Sequence, residues 1–113
     1  MNLSDVVKEF GLDVKAGAGH LDREVTGGYA SDLLSDVLAH AEDGMLWVTL
    51  HIHQNIVAVA SHTGLSGIIL VQGRVPDQDT VAKAEEENIP IMVTELSAFE
   101  LVGRLYEAGI RGA

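Results

Sequence analysis

Three short and nearly continuous apolar runs set the limits on what this chain can fold into: Met45 to Ile52, Gly67 to Val71 and Ile89 to Thr94. Between them, apolar residues recur every three or four positions, which is the period of a helix with one covered face. A strand that is apolar at every residue needs cover on both of its faces. A parallel sheet lying between helices supplies that cover.

The remaining elements follow from the same period counting. Leu3, Val6, Val7 and Phe10 predict an amino-terminal helix that Gly11 stops. Leu12, Val14 and Ala16 alternate with Asp13 and Lys15, the pattern of a short half-covered strand. A second strand is expected over residues 24–30 and a helix over 31–43, with the stripe Leu33, Leu34, Val37, Leu38 and Ala41. Ser31 or Asp32 would cap that helix and Gly44 would end it. Further helices are expected over 55–63, 77–88 and 97–108. The last opens with the capping box Ser97 and Glu100. From residue 24 onward the order is thus β-α four times over. The fold class is α/β: one domain spanning residues 1–113, with a mostly parallel sheet and flanking helices.

Charge and composition exclude several functions. Seventeen acidic residues against seven Lys and Arg give a net charge of −10 with neutral His. Such a surface repels phosphate backbones and anionic lipid, so neither nucleic acid nor a membrane is an expected partner. Aromatics make up only 4% of the residues, so the core must be aliphatic. With no cysteine, there are no disulfides, thiolate metal sites or Cys nucleophiles. The amino terminus lacks the basic start and apolar run of a signal peptide, and a cytoplasmic location is the expectation. No lysine follows a glycine as a phosphate loop requires, and no Gly-x-Ser-x-Gly elbow occurs.

In open parallel sheets, ligands gather outside the carboxyl ends of the strands. The expected βα loops there are residues 27–32, 51–55, 73–77 and 94–97. The adjacent Gly27 and Gly28 are open to two readings. They let the strand and helix pack closely, or they uncover helix N–H groups for an anion. Thr26, Gly27, Gly28, Ser31, His53, Asn55, Arg74, Glu95 and Ser97 form the candidate ligand set. Arg74 is the one cation in these loops, and Asn55 and Ser97 also suit plain helix caps. His51 and His53 would share a face if they lay on a strand, so a metal-dependent enzyme is the rival expectation. No third ligand stands beside them. Glu95 has no acid partner in sequence, so a carboxylate pair is unsupported. Glu85-Glu86-Glu87 is expected to be a solvated helix face. Phe99, Tyr106 and Ile110 fall off the main stripe of the last helix and are expected to serve a second contact, in a homodimer or against the first helix.

Several of these stretches together resemble a known family. Asp22-Arg23-Glu24-Val25-Thr26-Gly27-Gly28-Tyr29, followed by Ser31-Asp32-Leu33-Leu34-Ser35-Asp36-Val37, is similar to the DRTGG domain. The similarity continues through Trp47-Val48-Thr49, His53-Gln54-Asn55 up to Ala60, Gly67 to Val71, and Thr94 to Glu100. The motif letters are interrupted by Glu24-Val25. The part from Leu12 to Arg23 also resembles the amino-terminal domain of HPr kinase/phosphorylase, without that enzyme's catalytic P-loop domain. In the DRTGG family such domains accompany phosphotransacetylase domains and stand beside CBS domains in some pyrophosphatases. The resemblance therefore implies an α/β module for regulation or assembly, with a metabolic enzyme or a small anionic ligand as partner. It implies no catalytic residue and no particular cofactor.

Overall fold

A computed structural model describes residues 1–113. In chain order the elements are α1 (Leu3–Phe10), β1 (Asp13–Ala16), β2 (Gly27–Ala30), α2 (Leu34–His40), β3 (Met45–Thr49), α3 (Asn55–Thr63), β4 (Gly67–Leu70), α4 (Gln78–Glu87), β5 (Ile91–Val93) and α5 (Ala98–Glu107). One 3-10 turn, Ala18–His20, follows β1. The five strands form one sheet in the order β1-β5-β4-β3-β2. Strands β2 to β5 run parallel, and β1 adds antiparallel to β5 with an irregularity between Val14 and Ala16.

Side chains on alternate strand positions feed two cores. Trp47, Ile68, Leu70, Ile91 and Val93 pack against Val37 of α2, the Ile56, Val57, Val59 and Ala60 face of α3, and Ala84 of α4. Leu46, Val48, Ile69, Val71 and Met92 face the other way, onto Leu3 and Val6 of α1 and Leu101 and Leu105 of α5. The result is three layers, and every residue of β3, β4 and β5 is buried, as their unbroken apolar runs require.

Each crossover from β2 to β5 steps to the neighbouring strand, always in the same direction. Crossovers of one hand then place α2, α3 and α4 on one face. Strand order never reverses along this path. The crevice that a reversal opens in doubly wound sheets is therefore absent, and any binding site must be built by the loops themselves.

Three expected elements are shorter in the structure. The strand expected from residue 24 begins at Gly27, because residues 21–25 pair with the start of the chain instead. The Leu3, Ser4 and Val25 amides bond the Arg23, Leu21 and Met1 carbonyls at 2.8–3.0 Å. Helix α2 spans 34–40 rather than 31–43. Asp32 does not cap it; one carboxylate oxygen accepts from the Thr49 hydroxyl and the Leu50 amide, both at 2.8 Å. That same bond turns the chain at Leu50, so β3 ends at Thr49 and not at Ile52. Leu33 and Leu38, expected on the covered stripe of α2, are exposed. The acidic run of α4 is mostly solvated, but Glu85 accepts the Gly17 amide at 2.8 Å and ties the loop after β1 to the helix.

Candidate functional site

Asp32, Leu50, His51, Ile52, His53 and Arg74 line a cleft of about 310 Å³ at the carboxyl ends of β2, β3 and β4. It owes its shape to three bonded turns. The Asp32 carboxylate holds the chain at Thr49 and Leu50 as described above. The Thr49 hydroxyl, donating to Asp32, accepts the His51 amide at 3.3 Å. The Ile52 carbonyl accepts from the Thr80 hydroxyl at 2.7 Å and the Asp77 amide at 3.2 Å, which anchors the loop to the start of α4. Opposite this loop, Gln72 and Gly73 both adopt left-handed backbone, with φ of 57° and 66°. Their amides bond the Leu96 and Thr94 carbonyls at 2.9 and 2.8 Å, and the turn they form delivers Arg74 to the rim.

The hydrogen bonds assign the imidazole tautomers. His51 Nε2 lies against the Asp32 carbonyl oxygen, which only accepts, so Nε2 carries the proton. His53 Nδ1 lies 3.2 Å from the Asn55 amide and accepts from it. In its neutral form His53 therefore carries its proton on Nε2. His51 and His53 sit in a loop and not on a strand, which corrects the geometry on which a shared metal face rested. No group of three or more His, Asp or Glu side chains is placed to hold a metal ion.

Arg74 is exposed and has no carboxylate within ion-pair distance; the ion pairs of the chain use Lys15, Lys83, Arg104, His40 and the amino terminus. The cleft thus pairs one exposed cation, Arg74, and two imidazoles with the Asp32 carboxylate, one oxygen of which is committed to Thr49 and Leu50, in a chain with ten more acids than bases. The cleft also lies where α3 begins, and the amino-terminal ends of helices carry partial positive charge.

Beside the cleft a second polar cluster fixes α2 to β2. The Tyr29 hydroxyl donates to Asp36 at 2.9 Å, and His40 Nδ1 stands 3.0 Å from the other oxygen of that carboxylate. Asp36 is held below the ordinary carboxylate range by hydrogen bonding to the Ser31 hydroxyl first and the Tyr29 hydroxyl next, with His40 adding to both. Tyr29 is raised, first by burial and then by its bond to Asp36.

The sequence-derived candidates divide by position. His53 and Arg74 line the cleft, and Asn55 adjoins it through its amide. The Ser31 hydroxyl accepts the Leu33 amide at 3.1 Å beside it, and the Ser31 carbonyl accepts the Trp47 indole N–H at 2.9 Å. Ser97 caps α5 by accepting the Glu100 amide at 3.2 Å. Glu95 lies on the β5–α5 loop against Gly73, with no part in the cleft wall.

Thr26, Gly27 and Gly28 lie at the other end of the sheet. The glycines belong to β2 and not to a βα loop. Gly27 and Gly28 pair with Met45 and Leu46, the first residues of β3. A Cβ built on Gly27 would stand 2.7 Å from the Arg111 carbonyl oxygen, whereas one on Gly28 meets Ile110 at an ordinary 3.5 Å. The Gly28 amide bonds that same Arg111 carbonyl at 2.9 Å. Close packing of the carboxyl-terminal tail accounts for Gly27 but does not demand a glycine at 28, while Thr26 bonds the Asp43 carbonyl at 2.9 Å. Asp32 is the residue that sequence reasoning missed. The signal was present, since Ser31 and Asp32 both read as caps and one helix needs only one.

Taken together, the fold is a three-layer α/β domain wound in one direction, with a loop-built cleft at the carboxyl edge of its sheet. It is similar to the structure of the CBS and DRTGG domains of the regulatory region of Clostridium perfringens pyrophosphatase, solved with its activator diadenosine tetraphosphate. The TM-score is 0.71 at 12% identity, over 89% of this chain and 44% of that one. The chain thus spans less than half of that structure, and the likeness supports a DRTGG-like fold. No family model matches the sequence, and no curated protein matches it.

Proposed function

We propose that this chain is a DRTGG-type regulatory module without catalytic activity. It takes a small anionic ligand in the cleft of Arg74, His51 and His53, and it associates with itself. The observation that carries the reading is the cleft itself, where the exposed Arg74 stands with two imidazoles at the carboxyl edge of the sheet. Ser31 and Asn55 adjoin this site; Glu95 and Ser97 stand on the β5–α5 loop outside its wall, and Thr26, Gly27 and Gly28 lie at the other end of the sheet. Similarity to a regulatory region that was solved with a nucleotide activator adds support from the fold. A cytoplasmic setting, with a metabolic enzyme as the regulated partner, agrees with the absence of cysteine and of any helix long and apolar enough to cross a membrane.

Thermal-shift measurement against nucleotides, acyl phosphates and divalent metals tests this reading. A ligand at a hundred times its dissociation constant stabilises by about 2.7 kcal/mol. For a domain of this size each kcal/mol moves Tm by about 4–8 °C, so the expected shift is more than about 10 °C. Arg74→Ala should abolish the shift without lowering the Tm of the free protein. If no phosphorylated compound shifts Tm, or if Arg74→Ala responds like wild type, the ligand reading fails. A shift by divalent metal alone, lost in His51→Ala and His53→Ala, would favour the metal-dependent alternative.

A further inference from the structure

Within the chain, the outward face of α5 is met only at its carboxyl end, where the Arg111 guanidinium stacks 3.7 Å from the centroid of the Tyr106 ring. Phe99 is 91% exposed, Tyr106 55% and Val102 38%. With Ala30, Ala98 and Gly103 they line an open depression of about 530 Å³. Ile110, expected on this face, is instead buried in the core against the sheet. Large apolar side chains at i, i+3 and i+7 of an exposed face mark a contact surface. Gly103 sharpens the point. It sits mid-helix, where glycine is unfavourable, and a Cβ there would meet nothing within 4 Å. Nothing inside the molecule requires the small residue.

We propose that a second copy of this chain docks on this face, with the two α5 helices antiparallel across a twofold axis between Val102 and Gly103. This names the surface for the self-association in the proposed function and rests on that reading. The exposed positions 99, 102, 103 and 106 are symmetric about that point. A twofold therefore sets Phe99 opposite the partner's Tyr106, and Val102 opposite the partner's Gly103. Large meets large along the outer pairs, and the central pair combines a branched side chain with the one residue that lets the helices approach. A closed pair needs this self-complementarity.

Charge agrees with the same arrangement. The exposed Glu107 of one copy falls opposite the first turn of the partner's α5, whose free N–H groups favour a negative side chain. Arg104 is already neutralised by Glu100 of its own helix at 3.2 Å. The neighbouring sheet edge is covered by the tail at Gly27 and Gly28 and open beyond them. In β2 the Gly28 amide points outward to Arg111, and by strand alternation the Ala30 amide also points outward. The opposite edge, β1, is blunted by its irregularity and by the Asp13–Lys15 ion pair. One helix face supplies only part of the roughly 800 Å² per partner that a tight interface buries, so a dissociation constant in the micromolar range is expected. Two chains of charge −10 repel at long range, and salt screens that repulsion. The dimer should therefore tighten as salt is added.

Sedimentation equilibrium from micromolar to hundreds of micromolar, at low and high salt, tests the proposal. Wild type should dimerise, more tightly at high salt. Phe99→Glu should weaken the dimer by about tenfold or more with an unchanged melting curve. Because the chain has no cysteine, Gly103→Cys should give a disulfide-linked dimer on mild oxidation, while Ala58→Cys on the exposed side of α3 should not. A wild-type dimer that ignores Phe99→Glu and gives no Gly103→Cys crosslink overturns this surface and leaves self-association standing. A monomer at every concentration overturns both, whatever the ligand response of the cleft.

Discussion

Gly27 offers a sharp energetic test, because its constraint is steric and its neighbour is backbone. A Cβ there stands 2.7 Å from the Arg111 carbonyl oxygen, about an ångström short of comfortable contact. A flexible side chain could swing away, but a carbonyl can retreat only with its chain. Gly27→Val should therefore lift the tail from β2. The Gly28–Arg111 hydrogen bond is lost, which costs about 0.5–1.5 kcal/mol. Ile110, 9% exposed and part of the core beside α5, loses much of its cover. Full exposure of such a side chain costs about 1.5–3 kcal/mol. Valine recovers up to about 1 kcal/mol through its preference for strands. The net loss is therefore about 2–3 kcal/mol, or roughly 10–20 °C in Tm. Urea denaturation followed by circular dichroism measures it. Removing residues 111–113 supplies the control, since the obstructing carbonyl goes with them. In that shortened chain Gly27→Val should be neutral or stabilising, a coupling of about 2 kcal/mol in the double-mutant cycle. If the substitution is equally harmful in both backgrounds, the tail is not the reason for the glycine.

Four further outcomes follow from bonds already described. Asp32→Ala should cost about 1–3 kcal/mol by orphaning the Thr49 hydroxyl and the Leu50 amide, and it should loosen the cleft, seen as faster amide exchange at residues 50–53. Trp47→Phe removes the indole bond to the Ser31 carbonyl from a fully buried site, and should lower stability by about 1–3 kcal/mol in denaturant titrations with an unchanged slope. Asp36 has a lowered folded-state pKa, so the unfolded chain takes up the proton first on acidification. Its contribution is complete above the ordinary value near 3.8 and disappears as pH falls through the folded value. The advantage of wild type over Asp36→Asn in melting curves should thus be full above pH 3.8 and shrink as the pH is lowered below it. Tyr29 is shifted the opposite way, so the advantage of wild type over Tyr29→Phe should be full below pH 10.0 and fade above it.

Most of the architecture is written in apolar periodicity. The runs at 45–49, 67–70 and 91–93 became buried strands because nothing but strand covered on both faces accommodates them. Helix ends were less legible where side chains bond at long range. Asp32 reads locally as a cap, yet its carboxylate is committed to Thr49 and Leu50, seventeen and eighteen residues away in sequence. That single commitment shortened α2 and β3 together and removed His51 and His53 from a strand. The candidate site was visible in part. Arg74 and His53 stood out by type, but Gly27 and Gly28 looked like a loop only because the pairing of residues 21–25 with the amino terminus has no local signature. Likewise, Ile110 and Phe99 share the same apolar character. Only the tertiary path of the tail sends one to the core and leaves the other in solvent.

The pairing of residues 21–28 with both ends of the chain bears on how such a unit can be joined to others. Val25 bonds Met1, and Gly28, three residues on, bonds Arg111. At about 3.3 Å per extended residue, the two amides that hold the chain ends are spaced by some 10 Å along the chain. A unit of this shape is a plug: it can be spliced into a surface loop of a host protein without stretching either side. It can also be cut elsewhere and rejoined end to end. Both joints then bear on the rim strand β2. A pull on segments joined there would reach the Tyr29–Asp36 bond and the turn at Asp32 before it reached the buried middle strands.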